Sequence, residues 1–238
     1  MRNWLKFFRV VNLPTVPGDI LAGAAVLCSF GGLELSAAPL AAACAASVFI
    51  YMFGLADNDI VGAATDVGRP IPDGVISIRT ARIARGLCLF AVLVIGSAFY
   101  LQPAWWMVAF LLAVCIVVYN RTKWCLAMGL CRGLNAMCGV AAVATDVFSH
   151  TGESIGRVEL LALCAIWTAY IAAVTRYSEG EAGDPAKRQR VGLLVGGMIY
   201  LQLVALLICN TTPLLLAGAF LLIALRLLKR LLPEIGAS

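Results

Sequence analysis

Apolar stretches long enough to cross a lipid bilayer follow one another along this chain with little between them. A hydrocarbon core of roughly 30 Å asks for about 20 apolar residues per helix. About eight such stretches can be marked, at 13–32, 36–56, 81–100, 102–119, 124–146, 158–176, 191–209 and 213–231. With 62% hydrophobic and 13% charged residues over a length of 238, this much apolar surface has no place in a water-soluble core of ordinary composition. The fold class expected is all-α, a polytopic transmembrane helix bundle, because helices satisfy their own backbone groups in lipid. The spans leave no room for a soluble domain, so residues 1–238 read as a single domain, without a visible internal repeat.

Charge placement orients the bundle, since Lys and Arg in short loops are retained on the cytoplasmic side. Threading eight spans collects Arg2, Lys6 and Arg9, then Arg69, Arg79, Arg82 and Arg85, then Arg121 and Lys123 on one side. Arg176, Lys187, Arg188, Arg190, Arg226, Lys229 and Arg230 join them, and Arg157 falls opposite. The expected setting is an integral, multi-pass protein of a bacterial inner membrane with both termini cytoplasmic. The net charge of +5 is then a topology signal with some attraction to anionic lipid, and gives no reason to invoke nucleic acid. Pro14, Pro17 and Asp19 interrupt the first apolar run, which argues against a cleaved signal peptide. Nine cysteines lie scattered without a C-x-x-C pair, as small apolar filler rather than metal ligands. His150 and Glu153 fall in the loop opposite the cationic side and receive no role.

One polar loop stands out, "NDIVGAATDVGRPIPDG" from Asn58 to Gly74, with Asp57 just before it. Positions four apart share a helix face, so Asn58, Gly62 and Asp66 would form a stripe running out of the second span. An amide and a carboxylate on such a stripe suit Mg²⁺, which takes oxygen ligands and completes its shell with water and phosphate. Arg69 follows, and Pro70 and Pro72 end the helix. So many acidic groups beside a span are expensive near lipid, which favours a functional site over a plain solvated turn.

The stretch resembles the signature of the UbiA superfamily of intramembrane prenyltransferases, an N-x-x-x-D-x-x-x-D motif followed by an R-P-x-P-x-G-x-I-S loop. Here these are Asn58, Asp66 and "RPIPDGVIS" from Arg69 to Ser77, with Gly62 at the middle aspartate. Asp57 and Asp59 are the nearest substitutes, on other bearings of the helix. "RVVNLPTVPGDILAG" from Arg9 resembles the family's opening helix through Arg9 and Asn12, and places Asp19 inside the membrane. "YNRTKWCLAMGLCRGLNAMCG" from Tyr119 resembles an M-G-x-C-R-x-L-N subgroup, with Tyr119, Lys123, Arg132 and Asn135 as its polar members. Arg132 and Asn135 are three apart and share a face expected to point into the bundle. Gly129 and Gly133 form G-x-x-x-G, a packing signal.

The resemblance implies eight to nine spans around a central cavity that holds a polyprenyl diphosphate. It implies Asp66 and Tyr119 as catalytic residues, and Arg9, Asn12, Arg69, Lys123, Arg132 and Asn135 as diphosphate ligands. Mg²⁺ would be held by Asn58, Asp59 and Asp66, and across the cavity mouth by Glu179 and Asp184 of "TRYSEGEAGDPAKRQR", where Glu181 also lies. Phe53, Trp124 and Tyr177 join Tyr119 as aromatic candidates to face a prenyl cation. The implied function is transfer of a prenyl group from the Mg-bound diphosphate to an aromatic or other lipid-soluble acceptor. Two other readings stay open: a family member without catalysis that binds prenyl lipid or a partner protein, and a small transporter using Asp19 and Arg132. A reporter that works only in the cytoplasm is expected to be active when fused after Ser238 and silent when inserted at 147–156; the reverse pattern would overturn the orientation.

Overall fold

The computed structural model describes residues 2–31, 35–66, 69–99, 101–143, 157–180 and 184–232, and among them all regular structure is helical. A short α1 (Arg2–Phe7) and a 3-10 turn (Val10–Asn12) precede α2 (Thr15–Gly31) and α3 (Ala37–Val61). Then come α4 (Ile78–Ala98), α5 (Pro103–Thr122), α6 (Cys125–Val143), α7 (Arg157–Ser178), α8 (Pro185–Ile208) and α9 (Thr212–Leu231). Each expected apolar stretch coincides with one helix from α2 to α9. Helices α2 to α8 are long and apolar enough to cross a membrane, and α9 carries Arg226, Lys229 and Arg230 at its end. His150, Glu153 and Glu181 lie outside the described residues.

Local chemistry sets the helix ends. Ser77 caps α4 by accepting the Thr80 N–H at 3.1 Å, and Asp184 caps α8 by accepting the Lys187 N–H at 3.0 Å, each satisfying an orphan donor of a first turn. Pro103 and Pro185 stand at first helical positions, where the missing N–H is harmless. Helix α3 runs to Val61 rather than stopping near 56, carrying Asp57, Asn58 and Asp59 on a helical backbone because each finds a polar partner.

The most enclosed helices are α2 and α6, which pack on each other; α2 also touches α3, α7, α8 and α9, and α6 also touches α5 and α7. Small residues allow this. A side chain at Gly139 would run into the Ile20 carbonyl, and one at Gly23 into that of Ala136. Gly129 likewise lies against the Thr168 carbonyl of α7, so the G-x-x-x-G is a packing face. The outer helices turn Phe90, Phe110, Leu161 and Phe220 outward, each more than 60% exposed, which suits a surface solvated by lipid.

The 3-10 turn packs against α9, and Lys229 near the end of α9 donates to the Gly192 carbonyl at 3.2 Å. The beginning and the end of the described chain therefore lie at one end of the bundle, called here the charged end. Gly139→Ala is expected to destabilise the bundle by about 1–3 kcal/mol, read as a lower unfolding temperature in detergent. Gly86→Ala, whose added methyl meets nothing within 4 Å, is expected to leave it unchanged or slightly higher. Equal midpoints for the two variants would refute the close α2–α6 contact.

Candidate functional site

At the charged end α2, α3, α5, α6, α7 and α8 surround a cavity of about 390 Å³. One face of α3 lines it from Ser47 through Ile50, Tyr51, Gly54 and Leu55 to Asn58, the three- and four-residue spacing of a helical stripe. The far walls are apolar, with Leu112 and Ile116 of α5 and Ile171 and Val174 of α7. Around this apolar interior stand Arg9, Arg69, Lys123, Arg132 and Arg188, and no carboxylate among the described residues lines the cavity. Low-dielectric walls strengthen the field of such a cluster, so the cavity is built to attract an anion.

Two of these cations are presented by left-handed backbone. Arg9 has φ 42° and Lys123 φ 55°, a conformation unfavourable to bulky side chains and held only where the surroundings fix it. Lys123 closes α5 as its C-cap and donates from Nζ to Asn58 Oδ1 at 2.5 Å, with the ammonium 5.7 Å from the Tyr119 ring centre. Arg9 lies 3.9 Å from Asp59. Partial burial pushes the Lys123 pKa below the ordinary lysine value, with Arg9 and Arg69 acting in the same sense and Asp66 and Asp59 opposing.

The acidic motif does not stay on one helical stripe. Helix α3 ends at Val61 and residues 62–65 form a turn, with the Asp66 N–H bonded to the Gly62 carbonyl at 2.9 Å. The Asp66 carboxylate folds back over Gly62, filling the space a side chain there would need, and Oδ1 accepts from the Thr65 hydroxyl at 3.1 Å. The structure thus corrects the straight stripe: the chain turns at Gly62, and the Asp66 carboxylate takes the space beside the glycine where a side chain would begin. Asp57 is no substitute, since it is turned away from the cavity. Arg85 donates to it at 2.8 Å and Asn120 at 3.0 Å, with Arg121 at 3.7 Å, tying the end of α3 to α4 and α5.

The second acidic segment is engaged elsewhere. Glu179 is exposed and takes two bonds from Arg176, at 2.8 and 2.7 Å, and Asp184 caps α8. Neither lines the cavity, and among the described residues no three His, Cys, Asp or Glu side chains gather as a metal cluster. Of the aromatic candidates only Tyr119 lines the cavity. Phe53 is buried in the bundle, and Trp124 and Tyr177 are exposed, the latter beneath Lys187 at 5.3 Å. Tyr51 takes a place that sequence reasoning missed, although its helical spacing back from Asn58 was the available signal.

Deeper in, Arg132 and Asn135 point toward α2 rather than only into the cavity. Arg132 Nε lies 3.1 Å from Asp19 Oδ2, and Nη2 donates to the Thr15 carbonyl at 2.9 Å. Asn135 Nδ2 donates to Asp19 Oδ2 at 3.0 Å and to the Val16 carbonyl at 3.0 Å. From α8, Gln202 Nε2 reaches Asp19 Oδ1 at 2.7 Å and the Thr15 carbonyl at 2.8 Å. Gln202 was also missed; a lone amide in the apolar run "YLQLV" was its signal. Asn12 lines the cavity near Arg9, and its carbonyl accepts the Thr15 hydroxyl at 2.8 Å.

The described helices form a membrane-type bundle around a cavity that is cationic at its charged end and apolar inside. Solved structures share the fold. A structure of digeranylgeranylglyceryl phosphate synthase matches with TM-score 0.58 at 16% identity, over 99% of this chain and 90% of that one. The apo structure of a UbiA homologue from Aeropyrum pernix K1 matches with TM-score 0.57 at 16% identity, over 94% and 92%. A UbiA homologue from Archaeoglobus fulgidus matches with TM-score 0.56 at 13% identity, over 98% and 87%. The chain has the fold of these UbiA homologues. No protein-family model and no curated protein matches it.

The Lys123 shift sets a pH dependence for anion binding. Below its lowered pKa the amine is charged and attracts the anion; as pH rises through that value the charge is lost. Affinity for a diphosphate probe is expected to begin falling at lower pH than an ordinary lysine near 10.5 would allow, and Lys123→Arg is expected to remove the fall. A wild-type profile identical to that of Lys123→Arg would show that Lys123 does not act on the anion.

Proposed function

We propose that this chain is a single-domain, UbiA-type membrane prenyltransferase that moves a prenyl group from a polyprenyl diphosphate to an aromatic or other lipid-soluble acceptor. The observation that carries the reading is the cavity, lined among the described residues by five cations and no carboxylate around an apolar interior, within a fold shared with UbiA homologues. The diphosphate lies against Arg9, Arg69, Lys123 and Arg188, and the prenyl tail along the apolar walls of α5 and α7. We place the protein in a bacterial inner membrane with the charged end cytoplasmic.

The residues at the end of α3 fit a magnesium ion. Asn58, Asp59 and Asp66 offer one amide and two carboxylates, about what Mg²⁺ takes from protein when phosphate and water complete its shell, provided Lys123 gives up Asn58 Oδ1. Asp59 Oδ1 is buried without a hydrogen bond, with the Arg9 guanidinium 3.9 Å away as its ion-pair partner. When bound, the ion would neutralise charge on the leaving diphosphate. Glu179 and Asp184 do not fit a second ion as placed, one paired with Arg176 and the other capping α8.

In the reaction the allylic C–O bond breaks with its electron pair going to the diphosphate oxygen. The acceptor's nucleophilic atom bonds to the freed prenyl carbon and gives up a proton. The cations stabilise charge as it grows on the leaving group, which is where preorganised electrostatics contributes most. Arg grips phosphate oxygens through its planar fork and Lys123 acts as a mobile point charge. Ile116, Ile171 and Val174 keep water from the carbocation, and the Tyr119 ring stabilises it by cation–π attraction.

The test is binding of farnesyl thiodiphosphate, which resists loss of its diphosphate, to protein in detergent with Mg²⁺ or with chelator. Binding that needs Mg²⁺ and weakens roughly tenfold or more in Asp66→Ala and Lys123→Ala is expected, for lost charge-assisted contacts of about 1.5–3 kcal/mol. Binding equal in all of these conditions would refute the reading.

A further inference from the structure

The buried carboxylate of Asp19 has no part in the reaction described above, and it does not line the cavity. It is fully buried at 0% exposure, yet it is ion-paired with Arg132 of α6 and accepts hydrogen bonds from Asn135 of α6 and Gln202 of α8. We propose that Asp19 and Gln202 are positioning residues that turn one end of the Arg132 guanidinium into the cavity to meet the anion. The proposal deepens the diphosphate reading and rests on it.

The geometry separates the two sides of the guanidinium. Its Nη2 donates to the Thr15 carbonyl at 2.9 Å, and its Nε faces the Asp19 carboxylate at 3.1 Å as an ion pair, buried and outside hydrogen-bond geometry. These two groups form one edge of the planar fork. Nη1 makes no hydrogen bond among the described residues, and it is absent from the buried atoms without a partner. The side chain retains 13% exposure and Arg132 lines the cavity. The accessible, unbonded end of the guanidinium is therefore the end that an anion in the cavity can reach.

Gln202 fixes the other half of the arrangement. Its amide nitrogen bridges the same two acceptors that Arg132 uses, Asp19 and the Thr15 carbonyl, and its side chain lies against Gly18. Carboxylate and carbonyl are thereby held at a fixed separation, matched to one edge of a guanidinium. An arginine with its own rotamers would lose several degrees of freedom on meeting an anion, whereas one already held loses few. Because the clamp supplies the counter-charge, Arg132 contributes directed hydrogen bonding to the site more than net charge. That role separates it from Lys123, which is a point charge at the mouth.

The experiment compares two probes, farnesyl thiodiphosphate and farnesol, so that a merely structural defect, which weakens both, is told from misplacement of Arg132, which weakens only the charged one. Asp19→Asn, nearly isosteric, and Gln202→Met are expected to lower thiodiphosphate affinity roughly threefold to tenfold while leaving farnesol affinity unchanged. In an Arg132→Met background neither is expected to change it further, since both act through Arg132. If Asp19→Asn does not fold, Gln202→Met decides by the same comparison. Equal loss for both probes, no loss, or additive loss beyond Arg132→Met overturns the clamp. Lys123→Ala is the separate control: if it weakens thiodiphosphate while the clamp variants do not, the anion site stands and the clamp falls. If wild type binds no thiodiphosphate, both fall.

Discussion

A guanidinium inside an apolar bundle persists only with a partner, because removing one member of a buried ion pair leaves the other at a cost of about 3–5 kcal/mol. The Arg132–Asp19 pair is the interaction on which the arrangement of this bundle turns. It requires α2 and α6 to approach closely, and Gly23 and Gly139 make that approach by bringing backbone against backbone. Helix α8 is drawn to the same place by Gln202, so three helices are keyed in register by one carboxylate. Buried polar groups are well attested as devices of this kind, which set register more than they add stability. In lipid, where apolar surfaces do not discriminate among partners, such keys have particular weight.

The same logic, moved to the membrane edge, organises the cavity mouth. Asp57 takes Arg85, Asn120 and Arg121 on one side of α3, and Asn58 and Asp59 take Lys123 and Arg9 on the other. Three consecutive polar residues therefore serve different faces: Asp57 ties α3 to α4 and α5, Asn58 lines the cavity, and Asp59 is buried beside Arg9. The left-handed backbone at Arg9 and Lys123 fits this picture. Such conformations persist where neighbouring contacts over-determine them, and they cluster at ligand sites. Here each holds a cation against the acidic end of α3, where an arriving anion would compete for it.

The helices were legible because the requirement of about 20 apolar residues per span is severe, and all eight stretches from 13–32 to 213–231 became helices. The end of α3 was legible only in part: the stripe expected to run on through Asp66 is helical as far as Val61, where the polar run is held by tertiary partners tens of residues away, and the turn that follows at Gly62 was not foreseen. Arg132 and Asn135 were legible as inward-facing from their spacing, and the transporter reading already set Asp19 beside Arg132, but that Asn135 shares the same carboxylate was not legible. Gln202 shows the same limit more plainly. A single amide in an apolar helix has a role only through what stands opposite it.

Gly62 illustrates how a motif and a site come apart. In the sequence it removes a carboxylate from a resembling pattern, and read residue by residue that is a lost ligand. In space, the helix ends just before it, the chain turns, and the Asp66 carboxylate settles over the glycine, a placement that any side chain at 62 would block. Two carboxylates, from Asp59 and Asp66, then remain near Asn58, where a pattern with a third would have crowded them. A small hard cation takes only one or two carboxylates from protein and the rest from water and phosphate, which is the basis on which the proposed function assigns one ion to the shortened set. In the proposed function the burden of holding the diphosphate shifts accordingly toward Arg9, Arg69, Lys123, Arg132 and Arg188, the cations that line the cavity among the described residues.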